Sequence, residues 1–153
     1  MEVTAFLADS AEAVQGKIYA LGIGWNAIFS PIFPVAHPRL ALGITIQVPY
    51  AATNQMHTVT VHLETEDGEQ VRLGFKPQPS EEPVPLFELG ASFNVGRPPM
   101  MVAGDEQVVS FAMTIDQLLF EAPGMFVWVV SIDRTEMKRI PMRLSALPPG
   151  GLQ

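Results

Sequence analysis

The strongest constraint on the fold is the stretch from Pro123 to Leu147, whose pattern is that of a β-hairpin. A Pro-Gly corner opens an apolar run, and Lys138 to Leu144 return with apolar and basic side chains in alternation. The polar cluster from Asp133 to Glu136 supplies the turn. Because Arg134 stands where a short primed turn favours glycine, we expect a longer loop through Glu136. The hairpin predicts an all-β fold and carries no nucleophile, metal-ligand set or phosphate-binding loop.

Alternation with a period of two residues continues along most of the chain. It is clearest from Leu40 to Val48, where five aliphatic residues alternate with small or polar ones. Helical periodicity is nearly absent, with at most one turn over Ser10 to Val14. About eight or nine short strands predict a single antiparallel two-sheet β-sandwich over residues 1–147, Ig-like or with a related Greek-key order. The Pro/Gly-rich tail at residues 148–153 is expected to fray.

The turn residues also predict which strands pair with each other. We expect Val3 to Asp9 and Lys17 to Trp25 to form an N-terminal hairpin. We expect a three-stranded meander from Leu40–Val48, Val59–Leu63 and Val71–Phe75, because an Asp-Gly turn precedes its last strand.

Composition narrows the range of functions. Only 16% of the 153 residues are charged while 48% are hydrophobic, which is lean in charge for a fully solvated monomer. The net charge of −7 repels phosphate backbones and anionic lipid heads, so nucleic acid and bare membrane are poor partners. With no cysteine, disulfides and thiol chemistry are excluded. A secretion signal and an apolar run of ~20 residues are missing, and we expect a cytoplasmic protein.

The motifs that would indicate enzymatic chemistry are incomplete. Gly22, Gly24 and Ala27 formally match the dinucleotide fingerprint, but Pro31 follows where a helix is needed, so a bulge or tight bend is the expected role of the two glycines. His57 and His62 are an odd number of positions apart on one strand and therefore point to opposite faces, where they cannot share a metal. We predict no cofactor, no metal and no catalytic residue.

Six short segments, whose landmarks are turns, glycines and an aromatic side chain, resemble a family of uncharacterised actinobacterial proteins, a domain of unknown function. They are Gly16-Lys17, Gly22-Ile23-Gly24-Trp25, His37-Pro38-Arg39-Leu40, Val95-Gly96-Arg97-Pro98, Pro123-Gly124 and Ile140-Pro141-Met142-Arg143. The resemblance implies a small β-sandwich without an assigned activity, and it transfers no catalytic residue.

The first strand of the terminal hairpin is apolar on both faces, although a sandwich strand needs only one. One face carries Phe126, Trp128, Val130 and Ile132, and the other carries Met125, Val127 and Val129. Two explanations remain open for the second face. Either a loop such as Phe29 to Val35 covers it, or a partner chain does, since large exposed apolar patches mark contacts.

The leading hypothesis is a non-enzymatic interaction or assembly module that binds protein, including a second copy of itself. Its candidate interface residues are Met125, Val127, Val129, Trp25, Phe29 and Phe33. The alternative is a small-ligand-binding domain with a pocket between the Pro-rich loop and the sheet ends. Candidate polar contacts are Arg39, Arg97, Arg139 and Arg143. A third hypothesis is a hydrolase or a calcium-dependent binder that uses acidic turns.

Overall fold

The alternating run that begins at Leu40 lies at the centre of the architecture. The computed structural model describes residues 1–79 and 81–148, and these form twelve strands and one short 3-10 turn at Tyr50–Ala52. The strands are β1 (Glu2–Ala8), β2 (Ser10–Val14), β3 (Lys17–Leu21), β4 (Ala27–Ser30), β5 (Val35–Pro49), β6 (Met56–Thr65), β7 (Gly74–Lys76), β8 (Val84–Leu86), β9 (Glu88–Asn94), β10 (Glu106–Phe120), β11 (Gly124–Ile132) and β12 (Thr135–Ala146).

The strands form two larger sheets and two small hairpins. One sheet has three strands in the order β1-β5-β10, and the other has five in the order β4-β12-β11-β6-β9. The hairpins are β2-β3 and β7-β8. Buried side chains of both larger sheets form one hydrophobic cluster, in which Ile44 and Ile46 of β5 join Val61 of β6 and Trp128 of β11. Strand periodicity therefore identified the core residues, since the inward positions of β5 and β11 are those expected.

The all-β class is present, but several finer expectations are wrong. Twelve strands exceed the expected eight or nine, because the two small hairpins use strands of only three to five residues. Pairing is not antiparallel throughout, because β4 runs parallel to β12. The tail expected to fray lies, apart from Pro148, outside the described residues.

Two of the expected strand pairings are also wrong. The first strand, β1, pairs with β5, while Lys17–Leu21 pairs with Ser10–Val14, the segment expected to be a helical turn. The meander does not form because β5 and β6 lie in different sheets. The turn at Tyr50–Ala52 carries the chain from one sheet to the other, and alternation in a sequence does not reveal whether consecutive strands pair.

The terminal hairpin has a two-residue turn, and the expected longer loop through Glu136 is wrong. Asp133 and Arg134 have φ values of +50° and +67°, the left-handed pair that a primed turn requires. Asp133 tolerates this conformation because its carboxylate is fixed from outside the turn, with Oδ1 accepting the Thr58 N–H at 2.9 Å. The hydrogen bond from Thr58 on β6 therefore stabilises a turn that has Arg134 at the position where glycine is favoured.

Replacing Arg134 by glycine is expected to stabilise the chain. An arginine at φ +67° carries a steric cost that glycine does not, so we expect Arg134→Gly to raise the free energy of unfolding by roughly 0.5–1 kcal/mol in urea titrations. Arg134→Ala is the control, because it removes the same side chain but keeps a Cβ. Equal effects of the two variants would mean that side-chain contacts, not backbone strain, set the cost.

Candidate functional site

The outward face of β11 is partly covered by charged side chains from its two neighbouring strands. Val129 lies directly between Arg139 of β12 and His62 of β6, and it is only 2% exposed. The Arg139 guanidinium reaches across β11 to donate to Glu64 on β6, and its Nη1 also donates to Glu136 at 2.8 Å. Polar side chains of neighbouring strands therefore cover Val129, where the sequence predicts a loop or a partner chain.

Glu64 is the centre of this charged layer. Its Oε2 lies 2.9 Å from His62 Nε2, and its Oε1 accepts from Arg139. These two hydrogen bonds, first that of His62 and then that of Arg139, lower the pKa of Glu64 below its ordinary value. The carboxylate is therefore charged at neutral pH, and the ion pair across β11 is maintained.

The other candidate interface residues are divided between core and surface. Met125 and Val127 are half-buried. Trp25 and Phe33 are also half-buried and pack against the hydrophobic cluster, whereas Phe29 on β4 is 56% exposed. Of the Trp25 to Phe33 segment, Phe29 and Ile32 thus present large apolar side chains to solvent.

Trp25 lies beside a partly buried histidine. Its ring centroid is 6.3 Å from that of His37, and burial lowers the pKa of His37. Trp25 Nε1 is buried without a hydrogen-bond partner among the described residues. The pair therefore lies at the edge of the hydrophobic core.

Three of the four candidate arginines are held by contacts within the chain. Arg39 Nε donates to Asp116 Oδ1 at 2.8 Å, on neighbouring strands β5 and β10. Arg97 stacks 3.9 Å from the centroid of the Tyr50 ring and donates to Thr53 Oγ1 at 2.9 Å. Arg139 is paired as described above, and Arg143 is exposed on β12. Arg97 therefore fastens the segment after β9 to the 3-10 turn.

His57 links three parts of the fold from a buried position on β6. Its Nδ1 lies 2.7 Å from Asp133 Oδ2, and its Nε2 lies 2.8 Å from the Ala52 carbonyl oxygen. Both neighbours are acceptors, so the doubly protonated imidazolium fits best. The Asp133 carboxylate, and after it the Ala52 carbonyl, raises the pKa of His57, and His57 in turn lowers the pKa of Asp133. This arrangement is a structural clasp.

The two histidines of β6 face opposite sides, as the strand period predicts. His57 points into the core beside Phe93, while His62 lies in the outward charged layer. Within residues 1–79 and 81–148, no group of three or more His, Cys, Asp or Glu side chains is placed to hold a metal ion.

The β2-β3 hairpin carries an exposed apolar surface that the sequence pattern does not predict. We call Val14, Tyr19, Leu21 and Ile23 the hairpin surface, and all four are exposed, with Leu21 at 74%. The register places Glu12 opposite Tyr19, so an acidic side chain lies among the apolar ones. Lys17, opposite Val14, adds a basic one. The sequence signal for this hairpin is the Gln15-Gly16 pair. In the structure both residues have positive φ values and form the turn.

Gly22 and Gly24 position Ile23 at the end of this surface. Both glycines have positive φ, which is the bend expected from the sequence. A Cβ on Gly22 would come within 2.8 Å of three Asp9 side-chain atoms, so Asp9 packs directly on the glycine. The Asp9 N–H also donates to the Leu21 carbonyl oxygen at 3.0 Å. These contacts close the base of the hairpin.

Comparison with known proteins gives a family without an activity. The model of the Family of unknown function (DUF6941) matches residues 3–145. None of the curated proteins matches the chain. A solved structure of Pseudomonas fluorescens alkylpurine DNA glycosylase AlkC bound to DNA containing an abasic site analog is similar at 13% identity with a TM-score of 0.42. The match covers 93% of this chain and 30% of the glycosylase chain. No helix among the described residues is long and apolar enough to cross a membrane.

Proposed function

The chain belongs to the Family of unknown function (DUF6941), and from its surface we propose that it is a non-enzymatic interaction module that associates with a second copy of itself. The observation that carries the proposal is the hairpin surface. Large aliphatic and aromatic side chains there are exposed on a two-stranded hairpin that belongs to neither larger sheet. Such surfaces on soluble proteins usually mark contacts.

We also infer that the two larger sheets pack face to face as an immunoglobulin-like sandwich. The strand order supports this, because β1, β5 and β10 correspond to strands A, B and E. Strands β9, β6, β11 and β12 correspond to C′, C, F and G, in the spatial order of a variable-type domain. The absence of cysteine suits a cytoplasmic, reducing setting.

A second copy is the partner favoured by the charges of the hairpin surface. A two-fold interface brings the same patch of both subunits together, so the patch has to be complementary to itself. Glu12 and Lys17 lie on the same exposed face as Tyr19 and Leu21, which gives this face one charge of each sign. In a two-fold pair, Glu12 of one copy can lie opposite Lys17 of the other.

The net charge predicts how association should respond to salt. Two copies at −7 each repel at long range, whereas the apolar contact is insensitive to screening. Raising the salt from about 0.1 M to about 1 M shortens the Debye length from ~10 Å to ~3 Å. Sedimentation velocity over a range of protein concentrations should therefore show tighter dimerisation at the higher salt.

Leu21→Glu is expected to weaken self-association at least about tenfold, because it places a charge in the centre of the apolar contact. The matched control is Phe29→Glu, the same kind of change at another exposed apolar site on β4. Loss of association with Phe29→Glu alone would move the interface to the Trp25 to Phe33 segment. A wild-type protein that stays monomeric at every concentration and salt would overturn the proposal.

A further inference from the structure

A cleft at one end of the molecule lies outside the surface proposed for association. It has a volume of about 450 Å³, within the range of small-molecule sites. Three segments surround it, namely the turn after β6 at Thr65–Asp67, the following Val71–Arg72, and the β10-β11 corner from Leu119 to Phe126. The Pro123-Gly124 corner, which starts β11, forms part of its wall.

The interior of the cleft is apolar and partly aromatic. Phe120 is almost fully buried and meets the Phe126 ring edge-on, with centroids 5.1 Å apart. Leu119, Val71 and Met125 supply aliphatic and thioether surface around these rings. A hydrocarbon or aryl group entering the cleft would thus leave water for a preformed apolar surface. Met125, one of the residues expected at a protein interface, lies here.

The rim of the cleft is acidic. Glu66, Asp67 and Glu121 line it and are exposed, and none forms an ion pair with a described residue. The one basic lining residue, Arg72, is stacked with its guanidinium carbon 4.5 Å from the centroid of the Phe75 ring. Three carboxylates against one guanidinium leave a formal excess of two negative charges, of the same sign as the whole chain. A cation is attracted to this rim and an anion is repelled.

From this combination we infer that the cleft binds an amphipathic organic cation, with its apolar body against Met125 and Phe126 and its ammonium group at the Glu66, Asp67 and Glu121 rim. The cleft and the hairpin surface share no residue, so ligand binding in the cleft does not depend on self-association.

Three probes that share one apolar body test the inference. They are 4-phenylbutylamine, 4-phenylbutanol and 5-phenylpentanoate, which all carry a phenyl ring on four methylenes and at neutral pH are positive, neutral and negative. Calorimetric titration of the full chain should show saturable one-to-one binding of the amine, weaker binding of the alcohol and the weakest binding of the carboxylate. We expect the amine to bind at least about fivefold more tightly than the carboxylate, with the ratio falling as salt is added. Equal affinities, tighter binding of the carboxylate, or no binding of the amine would overturn the inference.

A charge-matched pair of variants locates the site. Glu121→Lys should weaken the amine severalfold and strengthen the carboxylate, because it reverses one rim charge. Glu106→Lys changes the net charge of the chain by the same amount at the opposite end of β10, and it should leave both affinities unchanged. If both variants act alike, the discrimination comes from the overall charge and the assignment to this cleft fails. Sedimentation of Glu121→Lys should match that of Glu106→Lys, which has the same net charge, so the outcome for the cleft is separate from that for self-association.

Discussion

Val129→Asp is expected to lower the free energy of unfolding by about 3 kcal/mol or more while leaving the oligomeric state unchanged. The substitution removes a buried aliphatic side chain and puts a short carboxylate at a position that is 2% exposed. Arg139 lies directly opposite but is already shared by Glu64 and Glu136. A third carboxylate therefore gains little from that guanidinium and repels the other two.

Val127→Asp is the matched control, because it makes the same change on the same face of the same strand at a half-buried position. Its cost should be less than half that of Val129→Asp, since the new carboxylate keeps part of its hydration. Urea unfolding gives both stabilities, and sedimentation gives the oligomeric state. If Val129→Asp kept wild-type stability but lost self-association, this face of β11 would be an intermolecular interface. The charged side chains over Val129 would then not shield it from a partner chain in solution.

The covering of Val129 illustrates what a strand pattern can and cannot predict. The period of two assigns Phe126 and Trp128 to the core and Val129 to the opposite face, and that assignment is correct. What covers Val129 depends on Arg139 and Glu64, which are 75 positions apart and meet only because β6 and β12 both pair with β11. Pairing between distant strands is not encoded in local alternation. The sequence alone therefore leaves open whether a loop or a partner chain covers this face.

The pairing of β1, β2 and β3 is not evident from the sequence for a related reason. Ser10–Val14 has too few large apolar residues to look like a strand, so the pattern pairs Lys17–Leu21 with β1 and not with β2. Hairpins that lie outside the main sheets bury little surface, so their sequences carry little of the core signal. The same property leaves Tyr19 and Leu21 exposed. The residues that carry the proposed association were thus the ones the alternation pattern could not single out.

The second large effect is expected at the His57–Asp133 clasp, where Asp133→Asn should destabilise the fold by about 2 kcal/mol near pH 5.5. Asparagine keeps the left-handed turn and an acceptor for Thr58, but it removes the charge opposite a buried imidazolium. The two partners again lie far apart in sequence, by 76 positions, so the sequence does not show that they pair. The loss should depend on pH.

The direction of that dependence follows from the two pKa shifts. Because the pKa of His57 is raised above 6.5, its contribution to stability is complete below about pH 6.5 and disappears as the pH rises through the folded value. Because the pKa of Asp133 is lowered below 3.8, its contribution is complete above about pH 4 and disappears as the pH falls. The clasp is therefore strongest between about pH 4 and 6.5.

Wild type and Asp133→Asn should be compared at each pH by urea unfolding. The comparison is needed because the contribution of His37 to stability changes with pH in the direction opposite to that of His57. Burial lowers the pKa of His37, so its contribution to stability grows as the pH rises and masks part of the His57 slope in the wild type alone. The difference between the two proteins should shrink above about pH 6.5, by no more than about 1.4 kcal/mol per pH unit. His57→Gln should likewise reduce the dependence of the free energy of unfolding on pH above about pH 6.5. A difference that is constant from pH 5.5 to 8.5 would mean that His57 is neutral in the fold and that the clasp is an uncharged hydrogen bond.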